Sequence, residues 1–481
     1  MVRIFRHYVP RPILALAACE LLILYLSIQT AIYLRYAPSE GLSGTAADHI
    51  GKMVTFTLVF GVAMFALGLY QREYIRDYRI VFIRLATSCT TAFVFLSLVF
   101  YLVPELSIWR SALGVAVGFA VVFILATRAL FLNVADLSRF KRRVLVMGVG
   151  VRAARVETLA NDLSRGIVVV GFLPANEAVC AIAPERVLSG VESLAAFARE
   201  EGIEEIIVAI EDCRGNMPIE ALLECKLNGI AVTEFATFCE RQTGRVEVDS
   251  LNPSWMIFSD GFAVGQVQHA FKRLIDLAVA LGLVVFTLPL IALTAAAIKM
   301  ETPGPVFIRQ QRVGRGGRSF MLYKFRSMRD DAEKDGVPRW AVADDPRITR
   351  VGAFIRKTRI DELPQIINVL KGDMSFVGPR PERSYFVDRL ACEIPYYIER
   401  HRVRPGITGW AQLNYPYGNS VEDAKRKLEY DLYYLKNLSA LLDLSILFQT
   451  ARIVLWPNSA PRRAADTVID VDAARGRKSA A

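Results

Sequence analysis

Four long apolar runs open the chain: Ile13–Leu34, Met53–Tyr70, Leu85–Val103 and Ala112–Val134. Each has about the length that crosses a hydrocarbon core of roughly 30 Å as a helix. The first is too long, and too lacking in a small-residue cleavage site, to be a signal peptide. After Arg142 the pattern changes to short β-branched runs alternating with amphipathic stretches. Strands are predicted at Val144–Met147, Val168–Leu173, Glu205–Ile210 and Ile230–Glu234, with helices after Gly150, at Ser193–Glu201 and at Pro218–Leu227. Such alternation predicts a parallel, doubly wound sheet. A fifth apolar run, Leu274–Ile298, holds one charge, Asp276, and an interior Pro289. Glu429–Trp456 is amphipathic and suited to an interface, whereas residues 457–481 are Ala/Arg-rich without periodicity and predict a disordered tail.

Composition narrows this picture. Hydrophobic residues at 53% and a mean hydropathy of +0.31 are high for a soluble protein, while 22% charged residues exclude a pure membrane bundle. Seven scattered cysteines without a C-x-x-C pair exclude a disulfide scaffold or a zinc ribbon. Twelve Lys/Arg flank the four runs on the side of the N-terminus, against Arg35, Lys52 and Arg110 on the other. The N-terminus and everything beyond residue 134 are therefore expected to face the cytoplasm. The fifth run has cations at both ends, Lys272 and Arg273 before it and Lys299 and Arg309 after it. Both ends are thus expected on one side, with the helix broken at Leu288-Pro289 and turning back within one leaflet; a kinked spanning helix is the alternative. Glu20, inside the first run, is read as an interhelical hydrogen-bonding group rather than a functional one. Gly114 and Gly118 could seat a neighbouring helix.

In the middle region Gly148-x-Gly150-x-x-Ala153 follows a strand and opens a helix, the context of a phosphate-binding turn. Gly148 and Gly150 would let a backbone approach a pyrophosphate. No acid ends the second strand, where Leu173-Pro174-Ala175 stands, and no Tyr-x-x-x-Lys pair follows. The region therefore reads as a Rossmann-like module for packing, assembly or regulation, with nucleotide sensing as the alternative and a membrane-bound NAD-dependent dehydratase disfavoured.

Most of the chain's net charge of +10 lies in residues 299–360, which carry 15 Lys/Arg and 7 Asp/Glu. Next to an apolar hairpin this cluster points to anionic lipid rather than nucleic acid, because it lacks interleaved aromatics and a groove-reading helix. Three blocks are more specific. Gln311-Arg312-Val313-Gly314 leads through Gly317 to Tyr323-Lys324-Phe325-Arg326, a strand expected to point Lys324 and Arg326 to one face, as suits a diphosphate. Asp361-Glu362-Leu363-Pro364-Gln365 opens an apolar helix, which places two carboxylates by the positive end of its dipole. An ionised Asp is a competent nucleophile, and a neighbouring acid can hold Mg²⁺. In Gly378-Pro379-Arg380-Pro381 the prolines restrict Arg380 and aim its guanidinium. A solvated helix start and a rigid surface turn are the plain alternatives for the last two blocks.

Lys324-Phe325-Arg326-Ser327-Met328, Asp361–Gln365, Gly378–Pro381 and Arg404-Pro405-Gly406-Ile407-Thr408-Gly409-Trp410 together closely resemble the bacterial sugar transferases, over about residues 266–456. These monotopic polyprenyl-phosphate sugar-1-phosphate transferases start exopolysaccharide and O-antigen synthesis. The N-terminal helices and middle domain resemble the large-form members, and Asn252-Pro253-Ser254-Trp255 looks like an exosortase-associated subgroup. Leu288 stands before Pro289 where many members have Ser. The resemblance implies a multidomain protein of the bacterial inner membrane. It would have a four-helix transmembrane bundle (1–140), a Rossmann-like α/β domain (141–262) and a mostly α catalytic domain (266–456) facing the cytoplasm. That last domain would carry a re-entrant hairpin at 272–298. By the same resemblance Asp361 attacks a UDP-sugar and releases UMP, and polyprenyl phosphate takes the sugar phosphate from the aspartyl intermediate. Asp361 and Glu362 would hold Mg²⁺, Lys324, Arg326 and Arg380 would bind phosphate, and Arg404 with Gly406 would shape the nucleotide pocket. Membrane lipid and polysaccharide assembly machinery are the implied partners, and the membrane and middle-domain surfaces leave room for a homodimer. An inactive assembly or sensor protein is the alternative.

Overall fold

The computed structural model describes residues 2–4, 7–9, 11–40, 46–70, 78–134, 142–161, 166–175, 180–211, 217–251, 253–259, 261–262, 265–329, 347–415, 418 and 420–455. The predicted tail at 457–481, Asn252 and several of the flanking cations used for orientation lie outside them. The chain divides into two compact units, one running through Phe238 and the other taking up the chain from Cys239.

Two three-residue strands, β1 (Val2–Ile4) and β2 (His7–Val9), precede the four long helices of the first unit. These are α1 (Arg11–Glu40), α2 (Ala46–Ala66), α3 (Tyr78–Leu102) and α4 (Arg110–Val134). All four are long and apolar enough to cross a membrane. Helix α1 packs on α2 and α4, and α2 on α3, around buried Leu24, Ile28, Phe56, Phe60 and Leu96. Large apolar side chains such as Leu22, Phe82, Val94 and Leu130 face outward, as a lipid solvent permits. The chain is thus a multi-pass membrane protein. The glycine pair that could seat a helix does not do so: a Cβ on Gly114 or Gly118 would meet nothing within 4 Å among the described residues. Ala112, Ala116 and Ala120, four residues apart on another face of α4, are buried instead, because it is small residues at a helical repeat that let backbones close together.

Glu20 does pair between helices, with an ion. Arg128 donates to both its carboxylate oxygens, at 2.6 and 3.0 Å, and reaches the Leu69 carbonyl at 3.3 Å. Glu20 and Arg128 are both buried, so Arg128 serves α1 rather than a flank.

The middle region forms a parallel sheet in the order β4-β3-β5-β6, from β3 (Arg142–Met147), β4 (Ile167–Leu173), β5 (Glu205–Val208) and β6 (Ala231–Glu234). Its helices are α5 (Val151–Asn161), α6 (Leu194–Glu200) and α7 (Ile219–Leu227), and the first pairs with the Gly148 turn as expected of a Rossmann-like module. Gly148 takes φ 123°, open only to glycine. The first amide of α5, Val151 N–H, donates at 2.8 Å to Glu211. The anion held at this helix N-terminus is therefore the protein's own carboxylate.

The second unit begins with α8 (Phe235–Thr243), which straddles the division, and α9 (Pro253–Phe258). The segment from Cys239, left by the sequence with the middle domain, is held here by buried Glu240, which accepts from Lys436 at 2.6 Å and Asn437 at 2.8 Å. Helix α10 (Gln266–Glu301) follows, the fifth helix apolar enough to cross a membrane. The expected break at Leu288-Pro289 does not end it: Pro289 lies inside one continuous helix. A proline removes a single donor and crowds one carbonyl, which a bend in a long helix absorbs.

Beyond α10 come the antiparallel hairpin β7 (Phe307–Val313) and β8 (Ser319–Phe325), then α11 (Arg350–Lys357). A 3-10 turn, Ile360–Gln365, runs into α12 (Ile366–Lys371). The strands β9 (Ser375–Val377) and β10 (Gly406–Thr408) pair in parallel across α13 (Ser384–Glu393) and a second 3-10 turn. Helices α14 (Trp410–Asn414), α15 (Val421–Lys436) and α16 (Ala440–Leu455) complete the unit. Its carboxylate on α10, Asp276, accepts from Ser375 Oγ and Phe376 N–H, both at 3.0 Å, and so pins the apolar helix to β9.

Removing one member of the buried pair in the membrane helices leaves the other as an uncompensated charge. Glu20→Leu is expected to destabilise the detergent-solubilised protein by about 3 kcal/mol or more. Thermal unfolding should show Glu20→Leu/Arg128→Leu recovering much of that loss; a double variant as unstable as the single one would sink the assignment.

Candidate active site

Local backbone chemistry sets the carboxylates. Helix α11 ends at Lys357 with Thr358 as its cap, and Arg359 takes the left-handed conformation at φ 61°. This reversal starts the 3-10 turn that carries Asp361 and Glu362, while Pro364 falls inside the turn and Gly372, at φ 91°, closes α12. Both acids are nearly buried, at 8% and 7% exposure. Buried Asn368 ties this turn and helix to β8: its Oδ1 accepts from Tyr323 N–H at 3.1 Å and its Nδ2 donates to the Met321 carbonyl at 2.7 Å.

That link brings Lys324 over Glu362. Glu362 Oε1 receives Lys324 Nζ at 3.3 Å, Arg380 at 2.9 Å and Arg359 at 3.5 Å. Burial alone would push the Glu362 carboxyl up, but Arg380, Lys324 and Arg359 outweigh it and hold the group down at about 2. Asp361 behaves oppositely. Burial pushes it above the ordinary Asp value, Glu362 adds to that, and Lys324 and Arg359 only partly offset it. Among the described residues no hydrogen bond reaches the Asp361 carboxylate. Burial lowers the Lys324 ammonium against the pull of Glu362. The site thus pairs a firmly ionised acid, committed to cations, with an uncommitted one of raised proton affinity.

Arg312, Lys324, Gln365, Arg380 and Gly406 line one small polar cleft beside these acids. Gly406 contributes backbone: its N–H donates to the Pro379 carbonyl at 2.9 Å, and a Cβ would collide with Gly378. Two expected members stand elsewhere. Arg326 does not share the face of Lys324, because β8 ends at Phe325. Its guanidinium is buried and donates at 2.8 Å to the Thr302 and Pro303 carbonyls, where the C-terminus of α10 leaves acceptors to fill. Arg404 is half-buried with Arg273, Arg315 and Asp276 as its charged neighbours, not Glu362. Gly148 and Gly150 belong to the first unit. Arg312 was quoted from sequence only within its block, without a role, and Asn368 was not singled out; a polar Asn inside Ile366–Leu370 was the available sign of the latter.

Among the described residues no group of three or more His, Cys, Asp or Glu side chains converges to hold a metal. The adjacent Asp361 and Glu362 carboxylates nevertheless fit Mg²⁺, which commonly takes one or two carboxylates and completes its shell with substrate phosphate and water.

The bacterial sugar transferase model matches residues 267–457, and a CoA-binding domain model matches residues 65–224. An Aeromonas hydrophila UDP-N-acetylgalactosamine-undecaprenyl-phosphate N-acetylgalactosaminephosphotransferase is 47% identical over 235 residues, 49% of this chain and 54% of that protein. The chain thus spans about half the length of that relative. A Komagataeibacter xylinus undecaprenyl-phosphate glucose phosphotransferase is 32% identical over 330 residues, 67% of this chain and 60% of that protein. A Caulobacter vibrioides UDP-glucose:undecaprenyl-phosphate glucose-1-phosphate transferase is 40% identical over 191 residues, 39% of this chain and 71% of that protein. With the acid pair, its cations and the membrane helices set out in this order, the chain belongs to the bacterial sugar transferase family.

Proposed function

We propose that this protein transfers a sugar-1-phosphate from a UDP-sugar to polyprenyl phosphate, with release of UMP, as the first step of exopolysaccharide or O-antigen assembly at the bacterial inner membrane. The observation that carries this reading is the contrast between neighbouring acids, Glu362 fixed by three cations and Asp361 buried with no hydrogen bond to its carboxylate from the described residues. In the first half-reaction an Asp361 carboxylate oxygen forms a bond to the β-phosphorus while the bond from that phosphorus to the bridging oxygen breaks. The electron pair leaves with UMP. In the second half-reaction a phosphate oxygen of polyprenyl phosphate bonds to the same phosphorus, and the aspartate leaves as a carboxylate. Lys324, Arg380 and Arg312 supply positive charge around the reacting phosphates. Mg²⁺ held by Asp361 and Glu362 would supply further charge neutralisation.

The reading includes a topology in which α10 enters and leaves on the cytoplasmic side. Support comes from where its two ends are tied. Near its start Arg273 donates to the Val369 carbonyl at 2.5 Å, and beyond its end Arg326 holds the Thr302 carbonyl at 2.8 Å. Asn368, adjacent to Val369, bonds to Tyr323, three residues from Arg326. A straight helix would separate Arg273 from Glu301 by roughly 42 Å. A bend at Pro289 would reconcile that length with anchors so near each other.

Purified protein with Mg²⁺, undecaprenyl phosphate and a panel of UDP-sugars is expected to release UMP with one donor, and Asp361→Asn to lose that release by at least 10³-fold, a scale typical of a lost nucleophile. Full activity in the variant would reject the assignment. Because burial raises the Asp361 pKa, the acid limb of the rate profile should lie above the ordinary Asp value of about 3.9, with activity lost as pH falls through it. In intact inverted vesicles, single cysteines replacing Val267 and Met300 should both react with a membrane-impermeant maleimide. Labelling of only one would reject the topology.

A further inference from the structure

Asp431 on α15 is buried, and its partner is Arg400, which donates to Asp431 Oδ2 from Nε at 3.1 Å and contacts it from an outer nitrogen at 2.8 Å. Arg400 is 5% and Asp431 1% exposed, so neither is placed to meet a substrate. The guanidinium also donates to Tyr397 OH at 2.8 Å, and at 3.2 Å to the backbone carbonyl of Arg380. That last bond belongs to a series. The four consecutive carbonyls from Pro379 to Glu382 are bonded by Gly406 N–H at 2.9 Å, Arg400 at 3.2 Å, Arg312 at 3.2 Å and Val313 N–H at 2.9 Å. The segment lies outside any strand or helix, and its two prolines lack an N–H, so it makes no ladder of its own. Its shape depends on outside donors.

We propose that Arg400 and Asp431 are positioning residues that hold the Arg380 backbone so that its guanidinium meets Glu362, a role that rests on the transferase reading for its kinetic consequence alone. Asp431 orients Arg400, Arg400 fixes the Arg380 carbonyl, and Arg380 then reaches Glu362 at 2.9 Å. The prolines on either side limit the remaining freedom. Charge-assisted bonds to a neutral carbonyl suit this work, since Arg400 stays protonated throughout.

The test uses full-length detergent-solubilised protein: wild type, Asp431→Asn, Tyr397→Phe, Arg380→Ala and Asp431→Asn/Arg380→Ala. Hydrogen–deuterium exchange should show the 378–384 amides of Asp431→Asn exchanging severalfold faster, with the β3–β6 sheet unchanged. In UMP release Asp431→Asn should lose about tenfold in kcat, equivalent to one charge-assisted bond, with KM for the UDP-sugar nearly unchanged. The double variant should be no slower than Arg380→Ala, because the effect of Asp431 passes through Arg380. Multiplying losses in the double variant, or unchanged exchange in Asp431→Asn, would overturn the proposal. Should Asp431→Asn not fold, Tyr397→Phe removes one acceptor of Arg400 and decides by the same exchange measurement. Absence of UMP release in the wild type would instead refute the transferase reading, leaving exchange to judge the clamp.

Discussion

One buried carboxylate oxygen gathers Lys324, Arg359 and Arg380, and the architecture of the catalytic unit can be traced from that meeting. An acid at 7% exposure is costly to ionise unless cations repay its desolvation. Each cation comes from a different piece of chain: a strand of the β7–β8 hairpin, the left-handed residue before the 3-10 turn, and the proline-bounded segment after β9. Those pieces must therefore be fixed relative to one another. Asn368 between β8 and α12, and the donors on the 379–382 carbonyls, are how the fold does so.

The membrane imposes the second constraint. Helix α10 is apolar enough for lipid, yet its first turns are stitched to the polar unit by Lys272, which reaches Asp443 at 2.6 Å and the Val377 carbonyl at 3.0 Å, and by Asp276 on β9. The polar residues in this helix are thus anchors. In the first unit Glu20 and Arg128 tie two membrane helices to each other, where an ion is tolerable only with its partner.

The Rossmann-like sheet carries the glycine turn of a phosphate site but presents it to Glu211. A helix N-terminus attracts whichever anion geometry places there. Here the fold supplies that anion itself.

Periodicity and local chemistry settle much of this protein. Runs of apolar residues long enough for a bilayer can hardly be anything else, and the strands of the middle sheet follow from β-branched runs between glycine turns. The helix start after Asp361-Glu362, too, was legible from Pro364 and the apolar residues after it, whereas the 3-10 form of the turn that carries the acids was not. Local sequence could not decide partners distant along the chain. The Glu20–Arg128 pair joins positions 108 residues apart. Arg326 was expected on the face of Lys324 by strand alternation, but the strand stops one residue earlier and helix-end carbonyls claim the side chain. The continuity of α10 through Pro289 and the burial of Asp431 against Arg400 are likewise matters of packing. Sequence determines which groups need partners, since burial leaves a charge or a carbonyl no alternative; only the tertiary structure chooses which partners they find.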